Sequence, residues 1–130
     1  MEDLDAKVAK KRSIFAAYKD ALGHIDGVEF MPQDERGQSN CWLTCLTIDP
    51  KVAGVDRETL RLGLEAENIE SRPLWKPMHL QPIFSNVPYH GGQVAEQLFE
   101  RGLCLPSGTS LKEDDFQRTV GVLRTLLRDT

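Results

Sequence analysis

Residues 2–22 hold no glycine or proline, and Leu4, Val8, Phe15, Tyr18 and Leu22 recur at helical spacing. The pattern predicts a helix about 30 Å long, long for a chain of this size, whose first half projects or packs on something outside the chain. Lys11 interrupts its apolar stripe, and Gly23 and Gly27 end it. Residues 28–31 read as a short strand, followed by a polar loop over 32–37. The run CWLTCLTI at 41–48 is apolar on both faces, which predicts a central strand with Cys41 and Cys45 on one side. A second helix starts at Asp56, whose carboxylate suits an N-cap, with Val55 placed to pack on Leu60. It runs to about Glu67, where Asn68 suits a left-handed C-cap.

Residues 69–74 predict a strand leading into a segment broken by Pro73, Pro77, Pro82 and Pro88, which excludes a regular helix or a central strand there. Gly91 and Gly92 release the chain into a helix carrying Val94, Ala95, Leu98 and Phe99, closed by Gly102. A short buried strand follows at 103–105. The last helix begins near Glu113 and sets Phe116, Val120, Leu123 and Leu127 on one face, with acids in its first turn and Arg124 and Arg128 near its end. Ser110 and Glu113 have the spacing of a capping box. The order α-β-β-α-β-loop-α-β-α predicts an α+β fold, a three- or four-stranded mixed or antiparallel sheet packed against helices.

A chain of 130 residues suits one domain. A net charge of −4 argues against nucleic-acid binding, since phosphate recognition needs a concentrated basic surface. The basic run Lys7, Lys10, Lys11 and Arg12 reads as a solvated helix face. No apolar stretch is long enough to cross a membrane and the N-terminus is polar, so a cytoplasmic protein is expected. The three cysteines form no CxxC pair and read as reduced core thiols. His24, His79 and His90 match no compact zinc pattern, so no metal site is expected. His79 and His90 lack the nucleophile and base arrangement of a small independent hydrolase.

The informative stretch is the proline-broken segment. Arg72, Trp75, Lys76 and His79 combine a planar anion-binding fork, an aromatic plate, a point charge and a titratable ring within eight residues, and prolines fix where they point. By composition alone this fits contact with a ligand or packing against a neighbouring domain.

The runs IESRPLWKPMHLQPIF and GGQVAEQLFERGLCLPSGTSL, the acidic start of the last helix, VAKKRSIFAAYKDAL and SNCWLTCLTID together resemble the DegT/DnrJ/EryC1/StrS aminotransferases, in the family's order and over essentially the whole chain. The resemblance implies the small C-terminal domain of an aspartate-aminotransferase fold. It also implies pyridoxal phosphate as cofactor, a homodimer, and transfer of an amino group from an amino acid, usually glutamate, to a keto group of a nucleotide-linked sugar. In that family the Schiff-base lysine, the carboxylate that holds the pyridinium nitrogen and the phosphate cup lie in a large N-terminal domain. None of Lys7, Lys10, Lys11, Lys19, Lys51, Lys76 and Lys112 stands in the cofactor-lysine context. The chain alone is therefore expected to bind no cofactor and to be inactive, with roughly 250 residues of α/β domain encoded upstream. The resemblance places Arg72 or Lys76 toward a phosphate or a donor carboxylate, His79 as a polar contact, and Trp75, Asn40 and Trp42 at the same edge of the substrate cleft. The alternative is a free-standing binding or dimerisation module that uses Trp75 and the first helix as its interface.

Overall fold

A computed structural model describes residues 3–128. Helix α1 spans Leu4–Leu22, β1 Val28–Phe30, β2 Thr44–Ile48, α2 Pro50–Ala53, α3 Arg57–Ala66, β3 Arg72–Pro73, α4 Val94–Arg101, β4 Gly102–Leu105 and α5 Glu113–Leu127. The four strands form one antiparallel sheet in the order β1-β2-β4-β3. This is the α+β architecture expected, in its antiparallel form.

Strand alternation gives the sheet two unlike faces. Leu46 and Ile48 of β2, Leu103 and Leu105 of β4 and Val28 of β1 join Tyr18 and Leu22 of α1, Leu60 and Leu64 of α3, and Phe116, Val120, Leu123 and Leu127 of α5 in a single core. The alternate positions Cys45 and Thr47 stand opposite Cys104 and Gly102 on the other face, where the side chains are small. Only the second half of α1 is sunk in this core: its buried residues are Ile14, Phe15, Tyr18 and Leu22, whereas Leu4 is exposed. The Tyr18 ring is fully buried, lies 4.7 Å from the Phe116 ring, and donates its hydroxyl to the Pro106 carbonyl at 3.0 Å.

The caps of α3 form as the residue types dictate. Asp56 accepts the Thr59 amide at 2.7 Å, Leu60 is in the core with Val55 packed against it, and Asn68 is left-handed with φ 57°. Three expectations are corrected. Residues 41–43 are not strand: Ser39 Oγ accepts the Cys41 amide at 3.1 Å, Asn40 Oδ1 accepts the Trp42 amide at 3.2 Å, and Cys41 is left-handed with φ 49°. Short polar side chains here take amides that a ladder would need, so β2 starts at Thr44 and Cys41 does not share a strand face with Cys45. The strand expected over 69–74 narrows to the two residues of β3, on the sheet edge where Pro73 costs no ladder bond. The capping box is not made, because the N-cap of α5 is Lys112, without a side-chain cap; Glu113, Asp114 and Asp115 do occupy its first turn. One element lay outside the expected order. Asp49 caps the short α2 by accepting the Lys51 amide at 3.0 Å, Pro50 begins it, and Gly54 at φ 73° ends it.

Gly102 closes α4 in extended rather than left-handed conformation. Its need for glycine is spatial, since a β-carbon there would lie 2.1 Å from Leu74 Cδ1 and 2.4 Å from the Leu98 carbonyl oxygen. Gly102→Ala should therefore destabilise the fold by about 1–3 kcal/mol through overpacking. Gly121→Ala, in α5 with nothing within 4 Å of the added carbon, should stabilise it by about 1 kcal/mol. Urea unfolding of both variants checks the contrast.

Burial pushes the Tyr18 phenol from 10.0 up to about 12, against a smaller opposing hydrogen bond with Thr119. A folded value above the unfolded one means that the native state holds this proton more tightly. The contribution is whole below pH 10 and is lost as pH rises to about 12, by on the order of 2 kcal/mol. Stability measured against pH should fall more steeply across that window in the native chain than in Tyr18→Phe.

Candidate functional site

The sheet's β3 edge and the C-terminal end of β4 open into a cleft of about 680 Å³. Its walls include Trp42, Trp75, Arg72, Ser71, Cys104 and Arg118. Trp42 comes from the loop before β2 and Trp75 from the segment after β3. Their rings stack at 6.2 Å with 25° between planes, although both are more than half exposed. Two exposed indoles in contact offer a flat, amphipathic face for a planar or sugar-like group. Arg72 stands opposite Cys104 in the ladder and pairs with Glu70 at the surface. The Ser71 hydroxyl is buried and has no hydrogen-bond partner among the described residues, which leaves a polar atom at the cleft wall for a ligand or water to satisfy.

The six residues singled out from the sequence divide between two places. Trp42, Trp75 and Arg72 line the cleft. Asn40, Lys76 and His79 are not among its lining residues. Asn40 instead holds the Trp42 amide, and so sets the turn that presents the indole. Lys76 is exposed, and its carbonyl accepts Gln81 Nε2 at 3.4 Å. His79 is largely covered: Nε2 is 2.7 Å from Glu96 Oε1 of α4, and the ring stacks on Tyr89 at 3.8 Å. These contacts fasten the proline segment to α4. That segment includes two short 3-10 turns, Met78–Leu80 and Pro82–Phe84.

Two positioning residues were missed. Lys11 Nζ donates to the Trp42 carbonyl at 2.8 Å and to the Ser107 carbonyl at 2.6 Å, and Arg12 Nε donates to the Ser39 carbonyl at 2.7 Å. Neither belongs to a solvated face, as the basic run had suggested. Ser107 Oγ in turn accepts the Thr44 amide at 3.2 Å. The loop that carries Trp42 is thus held from α1 and from the turn after β4. The signal was present in the interruption of the apolar stripe at Lys11: a lysine amid core positions needs acceptors, and two carbonyls supply them.

Among the described residues no three His, Cys, Asp or Glu side chains gather as a metal site, and no helix is long and apolar enough to cross a membrane. The cleft lining, taken over the described residues, contains no lysine.

The model of the DegT/DnrJ/EryC1/StrS aminotransferase family matches residues 1–124. EpsN of Bacillus subtilis (strain 168), named for pyridoxal phosphate-dependent amino transfer, is 49% identical over 127 residues, which are 95% of this chain and 32% of that protein. The GDP-perosamine synthase of Caulobacter vibrioides is 25% identical over 128 residues, 98% of this chain and 34% of that one. Among solved structures, DesI in the presence of its TDP-sugar product superposes with a TM-score of 0.86 at 27% identity, covering 98% of this chain and 33% of that one. The chain spans about a third of the length of the curated relatives it matches.

Replacing Lys11 with methionine keeps the apolar stem but leaves the Trp42 and Ser107 carbonyls without their charged donor. We expect a loss of about 1–3 kcal/mol in urea unfolding and a changed near-ultraviolet dichroism from the released Trp42–Trp75 stack. An unchanged spectrum would show that the loop holds its place without the lysine.

Proposed function

Because the chain belongs to the DegT/DnrJ/EryC1/StrS aminotransferase family, we propose that it is the C-terminal small domain of a pyridoxal phosphate-dependent enzyme. That enzyme moves an amino group from an amino acid, glutamate in this reading, to a keto group of a nucleotide-linked sugar. The observation that carries the reading is a family match along nearly the whole chain, together with relatives about three times its length. The relatives' names and the DesI complex with a TDP-sugar support the substrate class.

The cofactor, when bound, supplies the electron sink that transamination requires. The donor set of this chain's cleft does not fit it. An internal Schiff base needs a lysine, and the lining includes none, while Lys11 is held by two carbonyls on another element. No chemical step is therefore assigned to these residues. Their part is to bind and orient: Arg72 faces a phosphate or carboxylate, the Trp42–Trp75 pair offers its face to a base or sugar ring, and Lys76 adds positive charge outside the rim. His79 and Asn40 position the two segments that carry the indoles.

A run of exposed apolar side chains, Met78, Ile83, Val87, Val94 and Leu98, supports coverage of the proline segment and α4 by the rest of a larger, dimeric cytoplasmic enzyme. The same run suits a free-standing dimerisation module, which a stable dimer of the isolated chain would favour.

In the full-length enzyme, Arg72→Ala should raise the KM for the nucleotide-sugar or lower turnover by about 10- to 100-fold, the scale of a lost charged hydrogen bond. His79→Ala should have a smaller effect. Unchanged kinetics in both variants would reject a role for this segment in the substrate cleft. Pyridoxal phosphate added to the isolated chain should give no Schiff-base absorbance that depends on one specific lysine.

A further inference from the structure

Cys45 and Cys104 stand directly opposite each other in the β2–β4 ladder, with their sulfurs 3.5 Å apart. Both belong to the sheet face turned away from the helical core, and neither is in the core cluster. Residues so paired hold their β-carbons about 4.5–5.5 Å apart, and a disulfide asks for roughly 3.5–4.5 Å. The Cys45 carbonyl accepts the Met31 amide on the β1 side, so its pair with Cys104 is of the closely spaced, non-hydrogen-bonded kind, and a small approach of the two strands closes the gap. Cys104 is half-buried and forms part of the cleft wall, so a small solute reaches it, whereas Cys45 behind it is buried. Cys41, the third cysteine of the chain, is fully buried in the loop before β2 and contacts Gln33 and Ser39 instead.

The electrostatics of the pair are asymmetric. The contact with the Cys45 sulfur, in which either thiol can donate, lowers the pKa of Cys104 against the opposing effect of burial. The same bond, reinforced by burial, raises that of Cys45. Cys104, on the cleft wall, is the sulfur a solute meets first, while Cys45 is buried behind it.

We propose that Cys45 and Cys104 are a thiol modification site that closes to an intrachain disulfide when a peroxide enters the cleft, with Cys104 as the attacking sulfur. The Cys104 thiolate attacks one oxygen of hydrogen peroxide, and the O–O bond breaks with loss of hydroxide to leave a sulfenic acid. The Cys45 sulfur gives up its proton and attacks the Cys104 sulfur; the S–S bond forms, the S–O bond breaks, and water leaves. The two thiols together lose two electrons and two protons, and the peroxide becomes two waters. A small thiol reverses the change by exchange. Because Arg72 faces Cys104 across the next strand pair, the disulfide would tie β2 to β4 beside the cleft wall that carries the guanidinium.

The test uses the unaltered chain, exposed to a small excess of hydrogen peroxide, denatured with an alkylating agent and mapped by peptide mass. We expect two of the three thiols to be lost, the Cys45 and Cys104 peptides to be joined, Cys41 to be alkylated, and dithiothreitol to restore all. Cys45→Ser should leave a sulfenic acid at Cys104 that dimedone captures, and Cys104→Ser should leave Cys45 unreacted. Three alkylated thiols after peroxide, a bond through Cys41, or a bond between two chains would overturn the proposal. The peptide map of the native chain decides this without either variant having to fold.

Discussion

The antiparallel pairing of β2 with β4 is the constraint on which the rest of the structure hangs. It joins residues 59 positions apart, Cys45 and Cys104, with no intervening chain in the ladder. The strands β1 and β3 each attach to one member of this pair as edges, and the core positions of α1, α3 and α5 find their apolar floor on Leu46, Ile48, Leu103 and Leu105. Such a long-range pairing carries a loop-closure cost before any packing rewards it. Gly102, at its end, allows Leu74 and the Leu98 carbonyl to approach the ladder so closely that the helix before β4 and the segment after β3 meet on one glycine.

Local chemistry was legible where a single residue decides the outcome. Asp56 caps α3, Asn68 turns left-handed after it, and the acids of α5 sit in its first turn, all for reasons internal to a few residues. The start of β2 was not legible, because the apolar run at 41–48 looks continuous while Ser39 and Asn40, just outside it, withdraw the backbone from the sheet. The short α2 carried an Asp-Pro start and a Gly stop, and its brevity hid it. For the cleft, residue type pointed to the proline segment but not to its division. Trp75 and Arg72 face the cleft while His79 turns to Glu96 and Tyr89, since only the folded position of α4 decides which side of the segment it meets.

The sheet's two faces differ in what they carry. One face is closed by three helices around a single core. The other carries Cys, Thr and Gly, whose small side chains let Leu74 and the end of α4 come near, and a margin of exposed Trp, Met and Ile lies beside it.

Lys11 gives the long first helix a second role beside its core contacts. The ammonium group grips two carbonyls, at Trp42 and at Ser107, from the middle of a rigid rod whose earlier turns stand clear of the core. The two loops that border the cleft are therefore fastened to one point on α1 and so to each other.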